Sequence, residues 1–137
     1  MSVDGQVVGQ TPFGLLVYLG VAAGDGAADI EYIVNKVRDL RIFEDADGKM
    51  NRSVVDAGGG LLLISQFTLS GDVRKGRRPS FDKAEKPDTA RGRYEEVLDA
   101  FRATGLPVAS GVFQAHMHVA SVNDGPVTIL LDSTRLF

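Results

Sequence analysis

Residues Gly58-Gly59-Gly60-Leu61-Leu62-Leu63-Ile64-Ser65-Gln66-Phe67-Thr68-Leu69 decide the fold. Four consecutive aliphatic side chains from Leu61 cannot alternate between core and water. They read as a strand buried on both faces, running to Leu69. A glycine turn opens it, and Ser65, Gln66 and Thr68 bring polar side chains to its far end, where sites are often built. By strand alternation Gln66 and Thr68 share one face, and Ser65 and Phe67 the other. The three glycines lack the GK[ST] of a phosphate-binding loop and precede a strand rather than a helix, so they read as a flexible turn.

Upstream, Leu15 to Ala22 is apolar throughout and reads as a second doubly buried strand. Asp25 is placed to cap a helix reaching about Leu40, whose Ile30, Ile33, Val34, Val37 and Leu40 fall on one face. Arg41 to Phe43 reads as a short strand and Asp45 to Gly48 as a turn. Near the N-terminus, Asp4-Gly5 is a two-residue hairpin signal. Only three residues precede it, which leaves Gln6 to Gln10 with almost nothing to pair with and reads as a missing N-terminal strand.

Downstream, a second helix runs from Pro87 or Asp88 to Thr104, with Gly105 as its stop and Ala90, Tyr94, Val97, Leu98 and Phe101 as its apolar face. A strand follows at Val108 to Ser110, then a long one from Val112 to Val122. Asn123-Asp124-Gly125-Pro126 is a dense turn signal, and Val127 to Asp132 is the last strand. Some seven strands and two helices in mixed order predict an α+β single domain over residues 1–137. Its sheet is expected to be largely antiparallel and barrel-like.

The chain has 137 residues, a net charge of −3, 44% hydrophobic residues and no cysteine. That excludes a disulfide scaffold, a thiolate metal site and a cysteine nucleophile. Neither a signal peptide nor a membrane-length apolar run is present, so a soluble, intracellular (cytoplasmic) protein is expected. Residues 74–93 hold eight basic side chains against three acidic ones, +5 in a net-negative chain. A local basic patch of this kind suits a polyanionic partner, against the plainer reading of a solvated loop. Arg74, Lys75, Arg77 and Arg78 are its leading members. His116 and His118 share a strand face, but no third ligand completes a metal site, so no metal and no cofactor is expected. No Ser-His-Asp spacing exists. Gly125-Pro126 between strands is where a cis peptide is most plausible.

Three segments carry a resemblance. GLLVYLGVAAGD (14–25), LRIFEDADGKMNRSVVDAGGGLLLISQFTLSGDVRKGRRPSF (40–81) and MHVASVNDGPVTILLDS (117–133) closely resemble the D-aminoacyl-tRNA deacylase family. The order and spacing match over about residues 3–133. Ser65-Gln66-Phe67-Thr68 and Asn123-Asp124-Gly125-Pro126-Val127-Thr128 are the diagnostic motifs. The resemblance implies a homodimer with a β-barrel-like α+β fold. It implies hydrolysis of the ester joining a D-amino acid, or glycine, to the terminal adenosine of tRNA. Ser65, Gln66, Phe67 and Thr68 match the motif lining the adenosine and aminoacyl pocket. Gly125-Pro126 matches a cis dipeptide inserted into the other subunit's site, where its carbonyl oxygens crowd out an L side chain. The family pattern begins with a further N-terminal strand, for which this chain shows no counterpart before Val3. Two other readings follow from the same residues. One is a tRNA- or RNA-binding module with little or no activity. The other is a related deacylase with a trans Gly-Pro and altered chirality preference.

Overall fold

A computed structural model describes residues 1–137. Its strands are β1 (Ser2–Val3), β2 (Gln6–Val7), β3 (Gly14–Leu19), β4 (Phe43–Glu44), β5 (Met50–Arg52), β6 (Gly60–Ser65) and β7 (Val108–Ser110). Its helices are α1 (Ala27–Asp39) and α2 (Pro87–Ala103), with a 3-10 helix at Phe67–Ser70. The central sheet has the order β3-β6-β7, all parallel, with Leu15 opposite Leu61 and Leu61 opposite Val108. The fold is α+β with two helices and mixed strand pairing.

β6 is buried on both faces, as its unbroken aliphatic run predicts. Leu61 and Leu63 face the helices and join Val34 and Val37 of α1 and Tyr94, Val97, Leu98 and Phe101 of α2. Leu62 and Ile64 face the other way, onto Met1, Val3, Leu16, Met117 and Val119. Tyr94 ties α2 to the sheet by donating its hydroxyl hydrogen to the Leu63 carbonyl oxygen at 2.8 Å. All five side chains of the predicted apolar face of α2 are buried.

Gly58 lies in the expected turn at φ 73°, and Gly60 ends the run in a close contact. Gly14 has φ 144°, and a Cβ there would lie 1.9 Å from the Gly60 carbonyl oxygen. Only a bare backbone lets β3 and β6 begin side by side. No helix is long and apolar enough to cross a membrane.

Several sequence expectations are corrected. The central sheet is parallel where an antiparallel one was expected, because helices carry the chain back between its strands. Antiparallel pairing is confined to the β1–β2 and β4–β5 hairpins and isolated bridges. The hairpin arm after Gly5 does find partners. Ser2 pairs with Val7 and Val3 with Gln6, while the amides of Val8 and Gly9 donate to the Met1 carbonyl oxygen. α1 is capped one residue later than expected, at Gly26, whose amide donates to Asp29 Oδ2. Asp25 instead accepts from the Ala22 amide. The short strand lies at Phe43–Glu44 rather than 41–43.

Four strands are cut back or absent. β3 stops at Leu19 and β6 at Ser65. Residues 112–122 form no ladder, only a bridge from His118 to Ser2. They keep the strand-like alternation, with Phe113, Ala115, Met117 and Val119 half-buried between exposed neighbours. Residues 127–132 also lack a ladder, and Ile129 and Leu130 are exposed. A strand exists only where a neighbour accepts its hydrogen bonds, and side-chain pattern does not name that neighbour.

Candidate active site

The 65–71 turn begins where β6 runs out of ladder. The Gln66 amide still donates to the Leu19 carbonyl oxygen at 2.8 Å, after which the chain coils into the 3-10 helix. The Leu69 amide donates to the Gln66 carbonyl oxygen and the Gly71 amide to that of Thr68. Gly20 sits beneath. A Cβ there would lie 3.2 Å from the Gln66 carbonyl oxygen and 3.3 Å from Leu69 Cβ, so a small residue after β3 lets the turn settle on the sheet edge.

The coil replaces the predicted strand alternation, yet it brings Gln66 and Thr68 together. Gln66 Nε2 donates directly to Thr68 Oγ1. That has chemical consequences. The group beside the threonine oxygen is an amide donor, which cannot remove the hydroxyl proton. Thr68 keeps that proton and can donate it onward. Phe67 lies outward, 58% exposed, with its ring edge-to-face with Phe81 at 5.1 Å between centroids.

The basic segment is a closed loop. The Asp72 amide donates to the Ser80 carbonyl oxygen at 2.7 Å and the Ser80 amide returns the bond at 2.9 Å. Inside it, Arg74 forms a two-pronged ion pair with Asp72, at 2.9 and 2.6 Å. The side-chain bond from Arg74 holds the Asp72 carboxyl far below the usual carboxylate range. Arg74 is therefore engaged inside the loop. Lys75, Arg77 and Arg78 are exposed and in no ion pair. Further along, Arg91 lies over the Phe113 ring and donates to Gln114, and Arg93 pairs with Glu96. Of the segment's cations, Arg74, Arg91 and Arg93 are partnered, whereas Lys75, Arg77 and Arg78 at the tip, and Lys83 and Lys86 beyond it, are exposed and in no ion pair.

Gly125 and Pro126 sit in an exposed turn, joined by a cis peptide. Asn123 closes this turn from both sides. Its Nδ2 donates to Thr128 Oγ1 at 2.9 Å and its Oδ1 accepts from the Val127 amide at 3.3 Å. Within one chain no hydrogen bond joins residues 123–128 to residues 65–68. His116 and His118 meet edge-to-face at 5.2 Å, and no cluster of three metal-capable side chains surrounds them.

The sequence pattern gives no site role to Phe81, Asp72 or Gly20. Phe81 lies fourteen residues from Phe67, and no periodicity links the two. The signal that could have found it is the loop closure itself, since a basic loop with an acid at its start needs its ends held.

The sequence model of the D-Tyr-tRNA(Tyr) deacylase family matches residues 1–132. A D-aminoacyl-tRNA deacylase of Alkaliphilus metalliredigens is 54% identical over 137 residues, covering 100% of this chain and 92% of the relative. One from Anaeromyxobacter dehalogenans is 57% identical over the same shares. Among solved structures, a c-Myc DNA unwinding element binding protein superposes with a TM-score of 0.90 at 38% identity, over 96% of this chain and 89% of that one. A probable eukaryotic D-amino acid tRNA deacylase superposes with a TM-score of 0.59 at 18% identity, over 75% and 76%, and shares the fold.

Proposed function

The chain belongs to the D-Tyr-tRNA(Tyr) deacylase family, and from that premise we propose how its own residues carry out and restrict the reaction. The activity is that of a D-aminoacyl-tRNA deacylase, a hydrolase of the ester between a D-amino acid and tRNA. The substrate partner is therefore an aminoacyl-tRNA.

In our reading the 65–68 turn is the pocket. Phe67 offers an exposed aromatic face to the terminal adenine. Ser65, Gln66 and Thr68 supply hydrogen bonds that hold the ester carbonyl and ribose in one orientation. Water attacks the ester carbon, and the bond to the ribose oxygen breaks to release the free amino acid and the tRNA hydroxyl. The neighbouring 2′-hydroxyl of the substrate assists this step, because the protein offers no base at Thr68. The observation that carries the reading is the Gln66 Nε2 to Thr68 Oγ1 bond, which supports reading Thr68 as a positioned donor rather than an activated nucleophile.

The Gly125-Pro126 turn belongs to the same reading as the chirality filter of a homodimer. Each subunit presents the turn to the other's pocket, where its carbonyl oxygens exclude an L side chain. A D side chain points away, and glycine has none to exclude, so glycyl-tRNA is also a substrate. The absence of any bond between the two motifs within one chain favours this cross-subunit arrangement. Lys75, Arg77 and Arg78, with Arg74 paired to Asp72 beside them, meet tRNA phosphates.

The deciding experiment is deacylation of matched D-tyrosyl-, L-tyrosyl- and glycyl-tRNA. Release from the D and glycyl substrates with the L ester intact is expected. Release from the L ester at a comparable rate would refute the filter. Binding of all three without hydrolysis would make the protein a nucleic-acid-binding module. The name of the 38%-identical structural neighbour and the unpaired loop cations lend that reading its support.

A further inference from the structure

The 72–80 loop and the 65–71 turn share a frame at two points. On one side Gly71 directly precedes Asp72, and its amide donates to the Thr68 carbonyl oxygen at 3.0 Å. On the other side Phe81 directly follows Ser80, and its ring meets Phe67 edge-on. The two sides also touch each other. A Cβ on Gly71 would lie 3.0 Å from the Thr68 carbonyl oxygen and 3.1 Å from Phe81 Cε1. The paired backbone bonds between Asp72 and Ser80 then close the stem between them. A displacement of the loop stem therefore moves both the carbonyl behind Thr68 and the ring against Phe67. At the far end of the loop, Lys75, Arg77 and Arg78 are free for anionic ligands, while Arg74 is braced against Asp72.

We propose that Phe81 is a positioning residue: it sets the Phe67 ring and makes the turn respond to phosphate held on the 75–78 tip. This rests on the reading that the tip meets tRNA phosphates. It adds that docking of the tRNA body orders the pocket before the aminoacyl end arrives. An edge-to-face aromatic pair has a preferred geometry, so a shift of one ring is transmitted to the other. The link is mechanical and needs no contact between the cations and the ester.

The test places 4-fluorophenylalanine at position 67 and follows its fluorine resonance. The added ligand is uncharged tRNA lacking its 3′-terminal CCA, which can meet the loop but not fill the pocket. The resonance should shift on binding, keep its shift in Phe81→Tyr and lose it in Phe81→Leu, which retains bulk without a ring. Steady-state kinetics supply the second readout. Phe81→Leu should lower kcat on D-tyrosyl-tRNA by about two- to tenfold, the range of one aromatic pair. Phe81→Tyr should restore it, and Arg77→Ala with Arg78→Ala should raise KM instead. Binding of the truncated tRNA without a fluorine shift, or a shift that survives in Phe81→Leu, overturns the inference and leaves the deacylase reading standing. Failure of the truncated tRNA to bind at all refutes the phosphate role of the loop, and the coupling falls with it.

Discussion

Removing the hydroxyl of Thr68 leaves the turn's backbone bonds in place, so Thr68→Ala isolates its chemistry. A lost positioning hydrogen bond costs roughly 1–3 kcal/mol, about 5- to 150-fold in kcat/KM. Loss of several orders of magnitude, or an acyl group trapped on Thr68, would make it the nucleophile after all. Asp25 makes a different prediction. Burial is the largest influence on its carboxyl and pushes the pKa up, assisted by the charges of Asp29, Asp132 and Glu85. The Ala22 amide partly offsets this. A carboxyl whose folded pKa is raised binds protons more readily when folded. Its charged form therefore lowers stability at neutral pH, and the loss is relieved as pH falls through the folded pKa towards the ordinary value. Asp25→Asn retains an oxygen for the Ala22 amide without the charge. Thermal unfolding at pH 7 should show a Tm equal to or above the parent's. A clear drop would mean that the charge itself supports the loop.

At the scale of elements, the 72–80 loop and the β3–β6 contact respond to different perturbations. Asp72 has a depressed folded pKa, so its contribution is complete above the ordinary carboxylate value of about 4 and fades as pH falls below it. Amide exchange at Ser80, measured downward from pH 5, should speed up relative to the sheet as Arg74 is released. At the tip, Arg77→Ala with Arg78→Ala should flatten the salt dependence of tRNA binding by up to roughly one log-log unit per lost phosphate contact. An unchanged slope would return the tip to an ordinary solvated loop. In the sheet, Gly14→Ala would drive a Cβ into the Gly60 carbonyl and force an unfavourable φ. Chemical denaturation should reveal a loss of several kcal/mol, at the upper end of single-residue effects.

At the scale of the molecule, the proposed filter lies across two subunits, which complementation can read. A variant altered at Gly125 alone should hydrolyse L-tyrosyl-tRNA as well as the D ester, and one altered at Gln66 alone should be weak on both. Unfolded together and refolded as mixed dimers, they should hydrolyse the D ester and spare the L ester, because the one site that keeps Gln66 takes its turn from the partner with Gly125 intact. Hydrolysis of the L ester by demonstrated mixed dimers would place both motifs in one subunit's site.

Local chemistry made much of this protein legible. The aliphatic run at 61–64 specified a doubly buried strand because four apolar side chains leave no polar face. The 3.6-residue spacing of Ala90, Tyr94, Val97, Leu98 and Phe101 specified which side of α2 is buried. The motifs at 65–68 and 123–128 supplied the residues of the proposed site. The tertiary structure alone decided that the central sheet is parallel and that β6 ends at Ser65. It alone left 112–122 and 127–132 without ladders and set Phe81 against Phe67. Those outcomes depend on which distant backbone supplies a hydrogen-bond partner or a packing surface. Apolar periodicity reports whether a residue is buried, and it carries no information about which part of the chain buries it.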